Sequence, residues 1–297
     1  MKNSLLLLTL GVCALTLPLA AQAPRQAQAT DGKTRDIYVS VVDGNGAAVT
    51  GLTAKEFTVR EDGVAREVLK VAPATAPLDI VLLVDDSQAA TNAIPYLRDG
   101  LTRFAKQLSG KASIGLVTIG ERPTSVVERT KDVATLQKGI SRLFARPGSG
   151  AYLLEAILDT SRGFQKRDTE RPVIVAIATE GVEFSNQPYE RVLDALYESG
   201  ATLHVLMVGS PSTSMADEIR NRNITVAQGT EGTGGRREQL LTELAIPDAL
   251  TKLADELLNQ YVVTYGRPEA LVPPKKVEVS VSKSGATARA RTRLPQK

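Results

Sequence analysis

Three short segments hold most of the side chains that could do chemistry: Val84-Asp85-Asp86-Ser87-Gln88-Ala89, Gly148-Ser149-Gly150-Ala151 and Ala178-Thr179-Glu180-Gly181. Their donors are carboxylate, hydroxyl and amide oxygens, with no thiol or imidazole among them. Such donors suit hydrogen bonding to the polar groups of a partner, and the candidate binding face is Asp85, Asp86, Ser87, Gln88, Ser149 and Glu180. A plainer role exists for each acid. Asp85 can accept backbone N–H groups of its turn and of the following helix start, Ser87 can cap that turn, and Glu180 can be a solvated loop acid.

Enzymatic signatures are sparse. Adjacent carboxylates such as Asp85 and Asp86 usually point apart. The single histidine, His204, lies between Leu203 and Val205 in an apolar run, which reads as core. There is no Gly-x-Ser-x-Gly elbow, no Gly-x-x-x-x-Gly-Lys loop and no Gly-x-Gly-x-x-Gly. The glycine-rich stretch from Gly229 to Gly235 lacks a following lysine and reads as a flexible turn before the last helix. A non-enzymatic protein is expected. The competing reading is a secreted hydrolase built on Ser87, Asp85 or Glu180.

The three segments need a frame to bring them together. Ile80 to Val84, Ile114 to Ile119, Val173 to Ala178 and Leu203 to Val208 are apolar runs of strand length, as in parallel strands covered on both faces. Between them, Ile94 to Leu108, Val133 to Leu143, Leu153 to Phe164 and Tyr189 to Tyr197 carry helical spacing, and Val126-Val127 reads as a short edge piece. The alternation implies an α/β fold: a mostly parallel central sheet with helices on both faces. Ligands of such sheets bind beyond the carboxyl ends of the strands, where the three segments fall.

Flanking this core are β segments. Ile37 to Val41, Phe57 to Arg60 and Glu67 to Val71 precede it; a helix after Pro247 is followed by Tyr261 to Tyr265, Val277 to Val281 and Thr287 to Thr292. The two sets are expected to pack into one small β domain. Asp43-Gly44-Asn45-Gly46 reads as a hairpin turn. A calcium loop starting there would need an acid where Ala54 stands.

The 297 residues carry 36 basic and 33 acidic side chains, a net charge of +3 with no clustered basic face, which argues against nucleic acid as a partner. Lys2, the apolar run Leu5 to Leu19 and the small residues Ala20 to Ala29 read as an export signal. Cleavage is expected between residues 21 and 29. The run is too short to span a bilayer, and no later segment is apolar enough to do so. Cys13, the only cysteine, would leave with the signal; a lipoprotein anchor there is disfavoured by Val12 before it. A periplasmic or extracellular location follows.

An apolar strand ending in Asp-x-Ser, with flanks Val39-Ser40-Val41-Val42-Asp43-Gly44, Val49-Thr50-Gly51-Leu52-Thr53, Glu61-Asp62-Gly63 and Asn259-Gln260-Tyr261-Val262-Val263-Thr264-Tyr265, resembles the acidobacterial-type VWFA-related domain proteins over nearly the whole mature chain. The resemblance implies export and a Rossmann-like von Willebrand A domain. It would also imply a metal-ion-dependent adhesion site, and there this sequence departs from the pattern. Asp85 and Ser87 match; Ala89 stands for a serine, Ala151 for a threonine and Glu180 for an aspartate. The site looks degenerate, so no cofactor is expected; by the resemblance, Mg²⁺ or Mn²⁺, if bound, would fall to Asp85, Ser87 and Glu180. The expected layout is a signal over 1–23, a leader over 24–34, a β segment over 35–76, the A-type domain over 77–258 and a second β segment over 259–297. The expected role is binding or scaffolding, with a protein partner at the strand-end face; the remaining alternative is a metal-dependent adhesion domain.

Overall fold

The computed structural model describes residues 33–167, 169–267 and 274–294. The segment read as an export signal, with its expected cleavage region and Cys13, lies outside the described residues. Lys33–Val42 (β1), Phe57–Glu61 (β2), Val64–Arg66 (β3) and Val68–Pro73 (β4) come first. The α/β body follows as Leu78–Val84 (β5), Ile94–Gln107 (α1), Ala112–Thr118 (β6), Thr124–Thr130 (β7), Val133–Ile140 (α2), Leu153–Gln165 (α3), Arg171–Thr179 (β8), Tyr189–Ser199 (α4), Thr202–Val208 (β9), Asp217–Thr233 (α5), Arg237–Leu240 (β10) and Ile246–Leu258 (α6). Tyr261–Arg267 (β11), Val277–Val281 (β12) and Thr287–Ala290 (β13) complete the chain.

The central sheet has the order β10-β9-β8-β5-β6-β7. Its first five strands are parallel, and every one after β5 is reached through a helix. The Val126-Val127 piece is longer than the sequence suggests, and β7 runs antiparallel to β6, so the sheet is mixed. From β5 the chain winds to β6 on one side, and from β8 it winds to β9 on the other. The carboxyl ends of β5 and β8 therefore flank the switch in winding, where an open sheet leaves a crevice. Apolar side chains of α1, α2 and α6 bury one face, and those of α3, α4 and α5 bury the other.

The β segments from the two ends of the described chain pack together. A four-stranded sheet, β13-β1-β11-β4, and a three-stranded one, β12-β2-β3, share a core around Val39, Phe57, Val59, Val263 and Tyr265. Polar anchors join this layer to the α/β body. The Arg171 guanidinium donates to Ala76 O at 2.7 Å, Leu257 O at 2.9 Å and Gln260 Oε1 at 2.7 Å, and it lies 5.1 Å from the centre of the Tyr38 ring. Arg289 of β13 reaches Glu256 of α6 at 2.5 Å.

One element overturns the sequence reading. Gly229 to Thr233 is the last turn of α5, a 17-residue helix, and no flexible turn. Glycines and threonines hid it, because neither favours helix intrinsically. Here their smallness is what the packing requires. A Cβ on Gly235 would stand 1.7 Å from the Leu203 carbonyl oxygen, and one on Gly232 would stand 2.5 Å from the Tyr197 ring. The buried threonine hydroxyls are satisfied within the helix: Thr230 donates to Val226 O at 2.8 Å and Thr233 to Gly229 O at 2.7 Å. The cost of small residues in a helix is met by close approach to α4 and β9.

This packing separates two alanine substitutions. Gly235→Ala should destabilise the protein by about 2 kcal/mol or more through overpacking. Gly163→Ala in α3, where an added Cβ meets nothing within 4 Å, should stabilise it by ~0.5–1 kcal/mol. Urea denaturation of the two variants checks both signs.

Candidate functional site

The carboxyl ends of β5 and β8 gather the predicted residues, but not as a row of open ligands. Asp85 is fully buried. Its Oδ1 accepts the Ser87 N–H at 2.8 Å and its Oδ2 accepts the Thr179 N–H at 2.9 Å, so the side chain ties the tip of β5 to the tip of β8. Burial pushes its carboxyl above the ordinary range, although both N–H donors act in the opposite direction. Asp86 turns the other way. Its Oδ1 accepts the Gly120 N–H at 2.7 Å and its Oδ2 accepts Arg146 Nε at 2.8 Å. Arg146 in turn reaches Glu121 at 3.1 Å. The neighbouring aspartates thus diverge, as adjacent residues should.

Ser87 is buried, and its side chain makes no capping hydrogen bond, contrary to the capping role expected for it. Gln88 is exposed and receives the Gly148 N–H at 2.7 Å on its Oε1, while Ser149 Oγ donates to Arg146 O at 2.9 Å. Of the six predicted face residues, Asp85, Asp86 and Ser87 therefore lie beneath the surface. Gln88, Ser149 and Glu180 lie at or near it.

Glu180 is not the solvated loop acid that its sequence context suggests. Its Oε2 accepts Arg222 Nη2 at 2.6 Å, and the Arg222 side chain is only 2% exposed. Arg222 projects from the second turn of α5, the helix that the sequence concealed. The two alanines also have defined neighbours. A Cβ on Gly181 would stand 2.6 Å from the Ala89 methyl, and the Ala151 backbone pairs with the loop after β8, its N–H donating to Val182 O at 2.9 Å.

That loop, 181–186, supplies functional groups the sequence did not flag. The N-terminus of α3 has no cap from its own preceding residue. Glu183 Oε1 accepts the Leu153 N–H and Ser185 Oγ accepts the Leu154 N–H, each at 3.0 Å. Glu183 is 5% exposed, and its second oxygen has no hydrogen-bond partner. Burial raises its pKa to about 7, against the lowering influence of Ser185, Arg222 and the Leu153 N–H. Phe184, next along, is exposed and packs on Tyr152 with 5.9 Å between ring centres. It stands between two clefts, each of about 480 Å³. One runs along 181–186 and 212–219; the other lies between Gly120-Glu121-Arg122 and Pro147 to Gly150.

His204 lies away from this end. It is wholly buried, and its Nδ1 accepts the Arg236 N–H at 3.0 Å. Desolvation pulls its pKa to about 4, so the ring is neutral and belongs to the core.

Residues 80–181 match the family model of the von Willebrand factor type A domain. The α/β body has the von Willebrand A-type fold, with its mixed central sheet and flanking helices. A von Willebrand factor type A protein from Catenulispora acidiphila superposes with a TM-score of 0.51 at 12% identity, over 89% of this chain and 75% of the other. Proximal thread matrix protein 1 from the mussel byssus superposes at 0.50 with 14% identity, over 66% of this chain and 50% of the other. No curated protein matches the chain significantly in sequence. These likenesses establish the fold.

Glu183 leads to a test in pH. Its folded-state pKa of about 7 lies above the ordinary 4.5. The native state therefore keeps a proton that the unfolded chain releases between those values, and stability is lost as pH rises through that window. The charged group facing it is Arg222 of α5, while Glu155 of α3 is engaged by the Asn186 N–H. Glu183→Gln should match the wild type near pH 5 and exceed it by up to ~3 kcal/mol at pH 8. Denaturation of both proteins across pH checks this, and the difference cancels the opposing contribution of His204.

Proposed function

We propose that this is an exported, non-enzymatic binding or scaffolding protein that holds another protein at the strand-end face of its von Willebrand A domain, without a metal ion. The observation that carries this reading is where apolar surface is left uncovered. Among the described residues, six of the eight exposed large apolar side chains sit in the connections at this end: Phe144, Val182, Phe184, Met215, Leu241 and Leu244, the last in a single 3-10 turn. Such exposed apolar groups beside clefts mark interaction surfaces. Export rests on the N-terminal signal; among the described residues no helix is long and apolar enough to cross a membrane.

The donor set favours a metal-free face. A divalent cation of this size needs near-octahedral oxygen ligands and gives up water reluctantly. Both oxygens of Asp85 already accept backbone N–H groups, the Glu180 carboxylate is held by Arg222, and methyls stand at Ala89 and Ala151. Arginine and backbone N–H supply the positive charge and hydrogen bonds that an ion would otherwise provide. The same occupancy disfavours a hydrolase. Ser87 is 2% exposed, and neither Asp85 nor Glu180 is left free to act as its base.

The test is capture from envelope and culture fractions with the mature chain as bait. The wild type should retain a discrete protein in EDTA, and Phe184→Asp should lose it while keeping its circular dichroism. Retention by Phe184→Asp would remove the face from the reading. Turnover in a broad hydrolase screen, abolished by Ser87→Ala, would replace it with the enzyme.

A further inference from the structure

The cleft along 181–186 and 212–219 has a chemistry of its own. Its lining includes Glu183 and Glu218 as the ionisable side chains, both acidic, with the hydroxyls of Ser185, Ser212 and Ser214 and the apolar Val182, Phe184 and Ile219. The nearest cation, Arg222, is already committed to Glu180 at 2.6 Å, and the exposed Arg220 lies 3.7 Å from Asp217. Arg222 also faces Glu183 and offsets its charge in part, so the negative charge of the cleft is only partly compensated. Glu183 concentrates it: the residue is 95% buried by its 5% exposure, one oxygen caps Leu153, and the other has no partner. Burying a carboxylate oxygen without a partner costs stability. A group retained at that cost in a cleft is a candidate for ligand contact.

We infer that this cleft is a receptor for a lysine side chain of the protein partner, the ammonium meeting Glu183 Oε2 and the alkyl stem lying on Val182, Phe184 and Ile219. Lysine fits better than arginine for a geometric reason. A guanidinium gains its advantage by engaging both oxygens of a carboxylate in a fork. Here Oε1 is spent on the α3 N-terminus, so one oxygen remains. An ammonium is a compact charge with three donors, which one carboxylate oxygen and neighbouring serine hydroxyls can satisfy. Its apolar stem suits the apolar rim, and the Phe184 ring adds attraction for a cation passing its face. The inference rests on the strand-end face being the binding surface and names the chemistry it recognises.

The test uses the mature, ¹⁵N-labelled chain and two probes, Nα-acetyl-L-lysine amide and Nα-acetyl-L-norleucine amide, which share the stem and differ in the ammonium. The lysine probe should give saturable millimolar shifts confined to amides of 181–186 and 212–219, and the norleucine probe should bind at least 5-fold more weakly. Glu183→Gln, which keeps an acceptor for Leu153, should weaken the lysine probe by 5-fold or more. If that variant fails to fold, Glu218→Lys, an exposed change that sets a competing ammonium at the cleft, should abolish binding. Equal affinity for the two probes, or lysine binding unchanged in the folded variants, overturns the inference. Partner capture that is lost in Phe184→Asp yet accompanied by no lysine binding would overturn this inference alone. Failure of capture itself would instead count against the face.

Discussion

The strand-end site depends on the bridge that Asp85 makes between the tips of β5 and β8. At the switch in winding, two adjacent strands release their chains in opposite directions, and their terminal N–H groups lose ladder partners. Asp85 satisfies the N–H groups of Ser87 and Thr179 with its two oxygens and fixes the spacing of the tips. Its orientation sends Asp86 to the β6 side, where Gly120 and Arg146 receive it, and Arg146 positions the loop before α3. On the other side, Glu180 is drawn to Arg222 of α5. Burial of charge is tolerated at this end because each of these three acids has donors placed by a different element.

What could be read from the sequence follows from which signals are local. The runs in β5, β8 and β9 are continuous because both faces of those strands are covered, and that periodicity survives without any structure. The alternation of strand and helix then places Asp85 and Glu180 at one end of the sheet. The alanines at 89 and 151, where the resemblance implies hydroxyls, are equally legible, since each is a residue type at a position. Helix α5 was not. Its glycines and threonines satisfy a tertiary demand, close approach to Leu203 and Tyr197, and local propensity argues against them. With that helix hidden, Arg222 has no visible place, and nothing in the sequence separates Glu180 as a face residue from Glu180 as a solvated acid. Glu183 was silent for a related reason: a lone acid in a polar loop carries no mark of burial, which comes from the packing of 181–186 against the start of α3.

The same packing ties stability to function. A carboxylate that caps a helix with one oxygen and leaves the other unpartnered lowers stability at neutral pH, and a neutral amide would cap as well. The apolar side chains at this end carry a similar cost in solubility. Both features sit on the rim of the same crevice, with internal arginines beneath. On the proposed reading, guanidinium groups and backbone N–H donors stand in for a cation at this end, and recognition falls to the loops.

Thermal melting of the mature chain in EDTA and in millimolar Mg²⁺ or Mn²⁺ tests that replacement most directly, since an ion bound only by the native state must raise its melting temperature. The curves should coincide. A saturable rise with metal, abolished by Asp85→Ala, would contradict it.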